Sequence, residues 1–117
     1  MGGLREIIQG LEAGDSVRGA AIIGEDGLVI HDALTPDADS DAVAALAVTT
    51  LRHAEQLGGA CCAGPLQTAV FEFGGGPAIL SALSPTATLV VLARPNRDLG
   101  SLLHELRIRR DTLTGLL

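Results

Sequence analysis

The chain has 117 residues, a formal net charge of −6, 47% hydrophobic residues and only 2% aromatic residues. This length and composition predict one globular domain, residues 1–117, with a core of Leu, Val, Ile and Ala. The acidic balance argues against binding to nucleic acid or to an anionic membrane surface. The sequence contains no Lys, which excludes a lysine general base, a Schiff-base lysine and a P-loop lysine.

The N-terminal stretch "MGGLREIIQG" has no apolar signal-like core, and no 18-residue apolar run follows it. We therefore predict neither secretion nor membrane insertion. Cys61 and Cys62 are adjacent, and there is no second cysteine pair to match them. A reducing, cytoplasmic location is the simplest interpretation.

The first predicted elements are a short amphipathic helix and a β-hairpin. The helix follows from apolar residues at helical spacing and ends at Gly14; these residues are Leu4, Ile7, Ile8 and Leu11. The runs "VRGAAIIG" and "LVIH" then flank Asp26-Gly27, a dipeptide typical of a type I′ hairpin turn. Asp26, His31 and Asp32 could instead form an acid/base constellation. The apolar flanks favour the turn, and no Ser or Cys nucleophile motif accompanies His31.

A long helix is predicted after the hairpin. Thr35 is a candidate N-cap, Pro36 and three Asp residues suit a first turn, and Gly58-Gly59 is a stop signal. The helix is rich in Ala, which lets another backbone approach closely. That neighbour is either the chain's own sheet or a second helix, and the sequence leaves both open.

Three strands and a last helix complete the chain. "LQTAVFEF" alternates, with Ala69, Phe71 and Phe73 on one side, and "PAILSAL" follows the "GGG" stretch at 74–76. "TATLVVLA" is continuously apolar, which predicts a central strand covered on both faces. The last helix has Asn96 as its candidate cap and a leucine stripe of Leu99, Leu102, Leu103, Leu106, Leu113 and Leu116.

Other candidate sites are weak. The "GGG" stretch could hold a phosphate, but it lacks a GK[ST] motif and a following helix, so a hairpin turn is favoured. Cys61 and Cys62 could ligate a metal, but they lack CxxC spacing and are interpreted as small apolar residues entering the third strand. His31, His53 and His104 fall on three different elements. No metal or cofactor is predicted.

The element order predicts an α/β sandwich: one five-stranded, mainly antiparallel sheet with helices on both faces. The chain resembles the Roadblock/dynein light chain family over nearly its whole length. The resemblance lies in the hairpin "VRGAAIIGEDGLVIHDAL", the Ala-rich long helix, and the stretches "TAVFEFGGGPAILSAL" and "TLVVLARPNRDLGSLLHELR". The resemblance is strongest to its bacterial branch, the gliding-polarity type that regulates small Ras-like GTPases.

That resemblance implies a profilin-like sheet of order 2-1-5-4-3, with the long helix on one face and two helices on the other. It also implies a homodimer formed by third strand against third strand and long helix against long helix, and no catalytic residues. The predicted dimer contacts are Ala69, Phe71, Phe73 and Ala45. The residues support this arrangement, since an unpaired aromatic edge strand would be prone to aggregation.

The leading functional hypothesis is therefore a non-enzymatic, homodimeric module that binds a Ras-like small GTPase. Its partner-binding residues are predicted on the long helix: Thr49, Arg52, His53 and Gln56. Arg52 could act as an arginine finger or be an ordinary solvated residue. The alternative is a small-ligand sensor, which needs an internal cavity; a hydrolase is disfavoured because no nucleophile motif appears.

Overall fold

A computed structural model describes residues 9–10, 16–95 and 98–116. Its strands are β1 (Val17–Gly24), β2 (Val29–Ala33), β3 (Thr68–Phe73), β4 (Gly76–Ser84) and β5 (Ala87–Ala93). The long helix spans Ser40–Ala60, and the C-terminal helix spans Leu99–Leu116. The strands form one sheet of order β2-β1-β5-β4-β3 in which each neighbouring pair is antiparallel. The predicted sandwich and strand order are confirmed.

The predicted N-terminal helix lies largely outside the described residues, as do all four apolar residues that predicted it. Gln9 and Gly10 are described, and both are helical. A Cβ at Gly10 would lie 3.3 Å from a guanidinium nitrogen of Arg109, so this segment approaches the C-terminal helix.

β5 is the central strand, as its unbroken apolar run predicts. It pairs with β1 on one side and β4 on the other. Leu89 and Val91 face one layer and Val90 faces the other, and all three are at most 1% exposed. A strand buried on both faces cannot alternate apolar with polar residues, which is why "TLVVL" is continuous.

Two apolar clusters cover the two faces of the sheet. The cluster under the C-terminal helix includes Ile22, Ile79 and Leu89 from the sheet and Leu102 and Leu106 from the helix. The cluster under the long helix consists of Ile23, Leu80 and Val90 from the sheet, with Ala44 and Ala47 from the helix. Ala at the helix contact positions lets the long helix pack closely on the strands.

The β1–β2 connection differs in turn type from the prediction. The Gly27 N–H donates to the Gly24 carbonyl (3.0 Å), and the Gly24 N–H donates to the Leu28 carbonyl (2.9 Å), which closes a three-residue loop. Gly27 is left-handed (φ 80°), whereas Asp26 is not among the residues with positive φ. This is the pattern of a turn followed by a glycine bulge, not of a type I′ turn.

The helix boundaries also differ from the predicted ones. Asp39, not Thr35, is the N-cap of the long helix, and its Oδ1 accepts a hydrogen bond from the Ala42 N–H (3.1 Å). This helix continues through Gly58 and Gly59 to Ala60 despite the low helix propensity of glycine. The Gly58 carbonyl accepts from the Ala63 N–H (2.9 Å) and the Gly59 carbonyl accepts from the Cys62 N–H (3.2 Å), so hydrogen bonds continue past both glycines. Asn96 lies outside the described residues. Asp98 fills the capping position of the C-terminal helix, accepting a hydrogen bond from the Ser101 N–H (3.1 Å).

Candidate interaction surface

β3 forms one edge of the sheet and exposes aromatic side chains. Its register pairs Ala69 with Leu80 and Phe71 with Ala78, and Leu80 packs under the long helix. Because cross-strand partners share a face, Ala69, Phe71 and Phe73 all lie on the long-helix face. Phe71 is 37% exposed and Phe73 is 64% exposed.

The long helix exposes an apolar stripe beside its buried side. Leu46 and Leu57 are 66% and 65% exposed. Thr50 and His53 lie between them at spacings of four and seven residues from Leu46, so the four side chains share one side of the helix. Two exposed leucines on one side are unusual for a helix whose other side already packs on the sheet.

This stripe lies on the side of the helix away from the β1–β2 turn. A Cβ at Gly27 would lie 3.7 Å from the Ala45 Cα, so Ala45 lies beside the β1–β2 turn. Each residue advances about 100° around a helix, which places Leu46 and Leu57 on the side away from that turn. We call Leu46, Leu57, Ala69, Phe71 and Phe73 the β3–helix surface.

The structure separates one predicted dimer contact from the others. Ala69, Phe71 and Phe73 lie together on β3. Ala45 is exposed but lies against the β1–β2 turn, so it is not part of the β3–helix surface. Leu46 and Leu57 were not among the predicted site residues. Leu46 and Leu57 are eleven residues, or about three helical turns, apart, so they lie on one side of the helix. That spacing is the signal by which the sequence could have identified a second apolar side of this helix.

The four predicted partner-binding residues lie together. Thr49, Arg52, His53 and Gln56 are all exposed, and their spacing of three, four and seven residues places them on one helix face. This polar face borders the apolar stripe at His53. Thr49 also donates from its hydroxyl to the Ala45 carbonyl (3.2 Å), which fixes its rotamer.

A solvent-open cleft of about 270 Å³ lies beside Arg52. Val48 and Leu51 of the long helix contribute apolar lining, Glu25 and Glu55 contribute carboxylates, and the β4–β5 turn closes the far side. No sequence motif marks this cleft, since its walls come from distant segments.

The acidic residues on either side of His31 accept hydrogen bonds from backbone N–H groups. Asp26 Oδ1 accepts from the Leu28 N–H (3.1 Å), and Asp32 Oδ1 accepts from the Leu34 N–H (3.0 Å). The Leu34 hydrogen bond, with a smaller contribution from the Ser40 side chain, lowers the pKa of Asp32. An Asp held ionised in this way is a poor proton donor.

Cys61 and Cys62 do not enter β3, contrary to the prediction. Both are exposed free thiols at the end of the long helix, where Cys61 is the C-cap and Cys62 has a positive φ of 57°. β3 begins only at Thr68. Among the described residues, no group of three or more His, Cys, Asp or Glu side chains is placed to hold a metal ion. No helix in the described ranges is both long and apolar enough to cross a bilayer.

The sheet, its exposed edge and its adjoining helix define a small α/β domain that presents an apolar surface suited to contact with another polypeptide. The family model of the Roadblock/LC7 domain matches residues 4–93. The chain therefore belongs to the Roadblock/LC7 family, whose domains are regulatory and adaptor modules rather than typical enzymes. The matched region ends with β5, before the C-terminal helix begins.

Solved structures share this fold. A Roadblock/LC7 domain from Streptomyces avermitilis is 28% identical, with a TM-score of 0.72 and coverage of 93% of this chain and 96% of that chain. MglB of Myxococcus xanthus is 16% identical, with a TM-score of 0.88 and coverage of 95% and 91%. The gliding protein MglB of Thermus thermophilus is 16% identical, with a TM-score of 0.81 and coverage of 94% and 84%. A comparison with curated protein sequences found no match.

Proposed function

We propose that this chain forms a homodimer through the β3–helix surface and that the dimer binds a Ras-like small GTPase. The observation that carries the first part is the exposure of Phe71 and Phe73 on the long-helix face of β3, together with the exposure of Leu46 and Leu57 on the long helix itself. Removing such side chains from water favours association through the hydrophobic effect.

The edge position of β3 supports the same dimer. In the described part of the chain β3 pairs only with β4, so its other side is free to form a backbone ladder. Pairing β3 with the β3 of a second copy would join the two sheets and bring the two long helices side by side. Both consequences remove exposed apolar surface, and closing the edge removes an aggregation hazard.

Binding to a Ras-like GTPase is supported by membership of the Roadblock/LC7 family and by the resemblance to its GTPase-regulating bacterial branch. The dimer would present two copies of the polar face formed by Thr49, Arg52, His53 and Gln56. One GTPase lying across the two-fold axis would contact the two copies differently, so we expect two copies of this chain for each GTPase. The role is that of a regulator, without catalytic residues of its own.

The test has two parts. Light scattering should give the mass of a dimer at micromolar concentration. Ras-like GTPases from the same genome, purified and loaded with GTP or GDP, should then be titrated by calorimetry. A regulator that reads the nucleotide state must bind the two forms with different affinity. A stable monomer would contradict the dimer, and failure of every GTPase to bind would contradict the partner.

A small-ligand sensor is the second candidate, and the cleft beside Arg52 is the observation that favours it. Its carboxylate and guanidinium groups could orient a ligand over Val48 and Leu51. The cleft is open to solvent, whereas a metabolite site normally encloses most of its ligand. Thermal shifts with a metabolite library, repeated on Glu55→Gln, would separate this function from GTPase binding.

A further inference from the structure

β2 is the second edge of the sheet, and the proposed dimer does not cover it. In the described part of the chain β2 pairs only with β1. Ile22 pairs with His31 and Ile23 pairs with Val29, which leaves Ile30 as an extra residue in β2. Such a bulge redirects a side chain away from the regular pleat. Ile30 is 53% exposed, and the preceding Leu28 is 66% exposed.

Acidic side chains border this apolar edge at both ends. Glu25 and Asp26 lie in the turn before β2, Asp32 lies within the strand, and further carboxylates follow on the way into the long helix. All of them are exposed: Glu25, Asp26, Asp32, Asp37, Asp39 and Asp41. The nearest basic residue of the described chain in sequence is Arg18, which is partly buried on β1.

The charge makes a second copy a poor occupant of this edge. Two β2 strands paired with each other would bring two sets of these carboxylates together, and like charges across a strand pair are destabilising. Asp32 is charged at neutral pH like any exposed aspartate, and the hydrogen bond from the Leu34 N–H lowers its pKa further. The two edges of the sheet therefore differ: β3 is aromatic with one carboxylate, Glu72, and β2 is apolar with an acidic border.

We propose that the β2 edge is a docking site for an extended segment of a different protein, one that alternates apolar and basic residues. Main-chain hydrogen bonds to β2 would supply the pairing, Leu28 and Ile30 would contact the apolar side chains, and the acidic border would contact the basic ones. This is strand addition to a free sheet edge, with charge selecting the partner. Side chains on one face of a strand recur about every 7 Å, in β2 and in the docked segment alike. Basic residues at alternate positions of the segment can therefore lie along the acidic side chains that border β2.

The test uses the full chain labelled with ¹⁵N and an acetylated, amidated hexapeptide that alternates lysine and valine. We expect saturable amide shifts concentrated in residues 28–34, with weaker binding as salt is raised. A glutamate–valine hexapeptide should not bind. A lysine–proline hexapeptide has the same charge but no N–H groups at its proline positions, so it should bind clearly more weakly.

Two variants locate the site. Asp32→Lys should weaken binding of the lysine–valine peptide by roughly fivefold or more, and Ile30→Ser should weaken it without a change in charge. Asp111→Lys is the matched control, because Asp111 is an exposed carboxylate on the C-terminal helix. It should leave the affinity close to that of the natural chain.

Several outcomes would overturn the proposal. These are absence of binding, shifts centred on β3 or the long helix, equal binding of the proline peptide, and an equal effect of Asp111→Lys and Asp32→Lys. The amide spectrum of each variant reports its fold, so loss of folding cannot be mistaken for loss of binding. Because β2 belongs neither to the β3–helix surface nor to the polar face of the long helix, the result does not depend on whether the dimer forms or a GTPase binds.

Discussion

Phe73 pairs with Gly76 across the β3–β4 turn, and its ring stays 64% exposed. Gly76 has no side chain to cover the ring, and no larger residue fits at this position. A Cβ at position 76 would overlap the Ala93 carbonyl oxygen, and Gly76 has a φ of 123°. The close approach of position 76 to the end of β5 therefore requires a glycine, where a larger residue would have covered Phe73. The ring of Phe73 remains available to another chain.

Phe73→Lys should break the proposed dimer, because two charged ends would replace two rings at the joined edges. We expect the dissociation constant to rise by roughly tenfold or more, measured by light scattering over a dilution series. Ile108→Lys is the control, since Ile108 is 59% exposed on the C-terminal helix. A Phe73→Lys variant that stays as dimeric as this control would place the interface elsewhere.

Arg52→Glu should weaken the proposed GTPase complex by about 1–3 kcal/mol if the guanidinium meets a charged group that is buried on binding. Folding should be nearly unchanged, because Arg52 is exposed on the helix. Calorimetry with the GTP-loaded partner measures the effect, and Arg107→Glu on the C-terminal helix controls for overall charge. Equal affinities of Arg52→Glu and the natural chain would remove this helix face from the binding surface.

Gly76→Ala should destabilise the fold by about 3 kcal/mol or more, because the new methyl group would overlap the Ala93 carbonyl and the backbone is left-handed. Gly75→Ala is the matched control one residue away. Its Cβ would meet nothing within 4 Å, so we expect a change within about 0.5 kcal/mol. Urea unfolding measures both variants, and similar midpoints for the two would contradict the close contact at Gly76.

Asp39→Ala should lower the free energy of unfolding by about 1 kcal/mol, because the Ala42 N–H loses its acceptor at the start of the long helix. Asp39→Asn should retain most of the stability, since the amide oxygen can still cap the helix. Thermal unfolding at neutral pH compares the two variants. An Asn variant as unstable as the Ala variant would assign the effect to charge instead of capping.

The cap at Asp98 should make stability depend on pH. The Ser101 hydroxyl donates to Asp98 Oδ2 (2.7 Å) and the Ser101 N–H donates to Oδ1 (3.1 Å), and these bonds lower the pKa of Asp98. A carboxyl group with a lowered pKa in the folded state stabilises the protein above its unfolded pKa. That contribution disappears as the pH falls through the folded pKa.

We therefore expect the Asp98 contribution to be complete at pH 7 and to be lost in acid, below the ordinary pKa of an aspartate. NMR titration should find a lowered pKa for Asp98, and Ser101→Ala should raise that pKa by removing its largest cause, the hydrogen bond from the Ser101 hydroxyl. An Asp98 pKa that Ser101→Ala leaves unchanged would show that the hydroxyl does not control it.

The sequence by itself determined the order of the elements and the layering of the fold. A continuous run such as "TLVVL" is typical of a strand covered on both faces, and the alternation of "TAVFEF" places its two Phe on one face of their strand. These patterns are local, because side-chain direction follows from the backbone period of two or 3.6 residues. Family resemblance supplied the strand order, which no single-strand pattern contains.

Other features had local signals that the folded chain does not follow, and only the three-dimensional structure decided them. Gly58 and Gly59 are local stop signals, yet the long helix passes through both. Asp26-Gly27 is a local type I′ signal, yet hydrogen bonds between Gly24 and Leu28 select a three-residue loop. Leu46 and Leu57 were equally plausible as core residues of an amphipathic helix. Their exposure follows from which side of that helix Ala44 and Ala47 bury, and the strands beneath them fix that side.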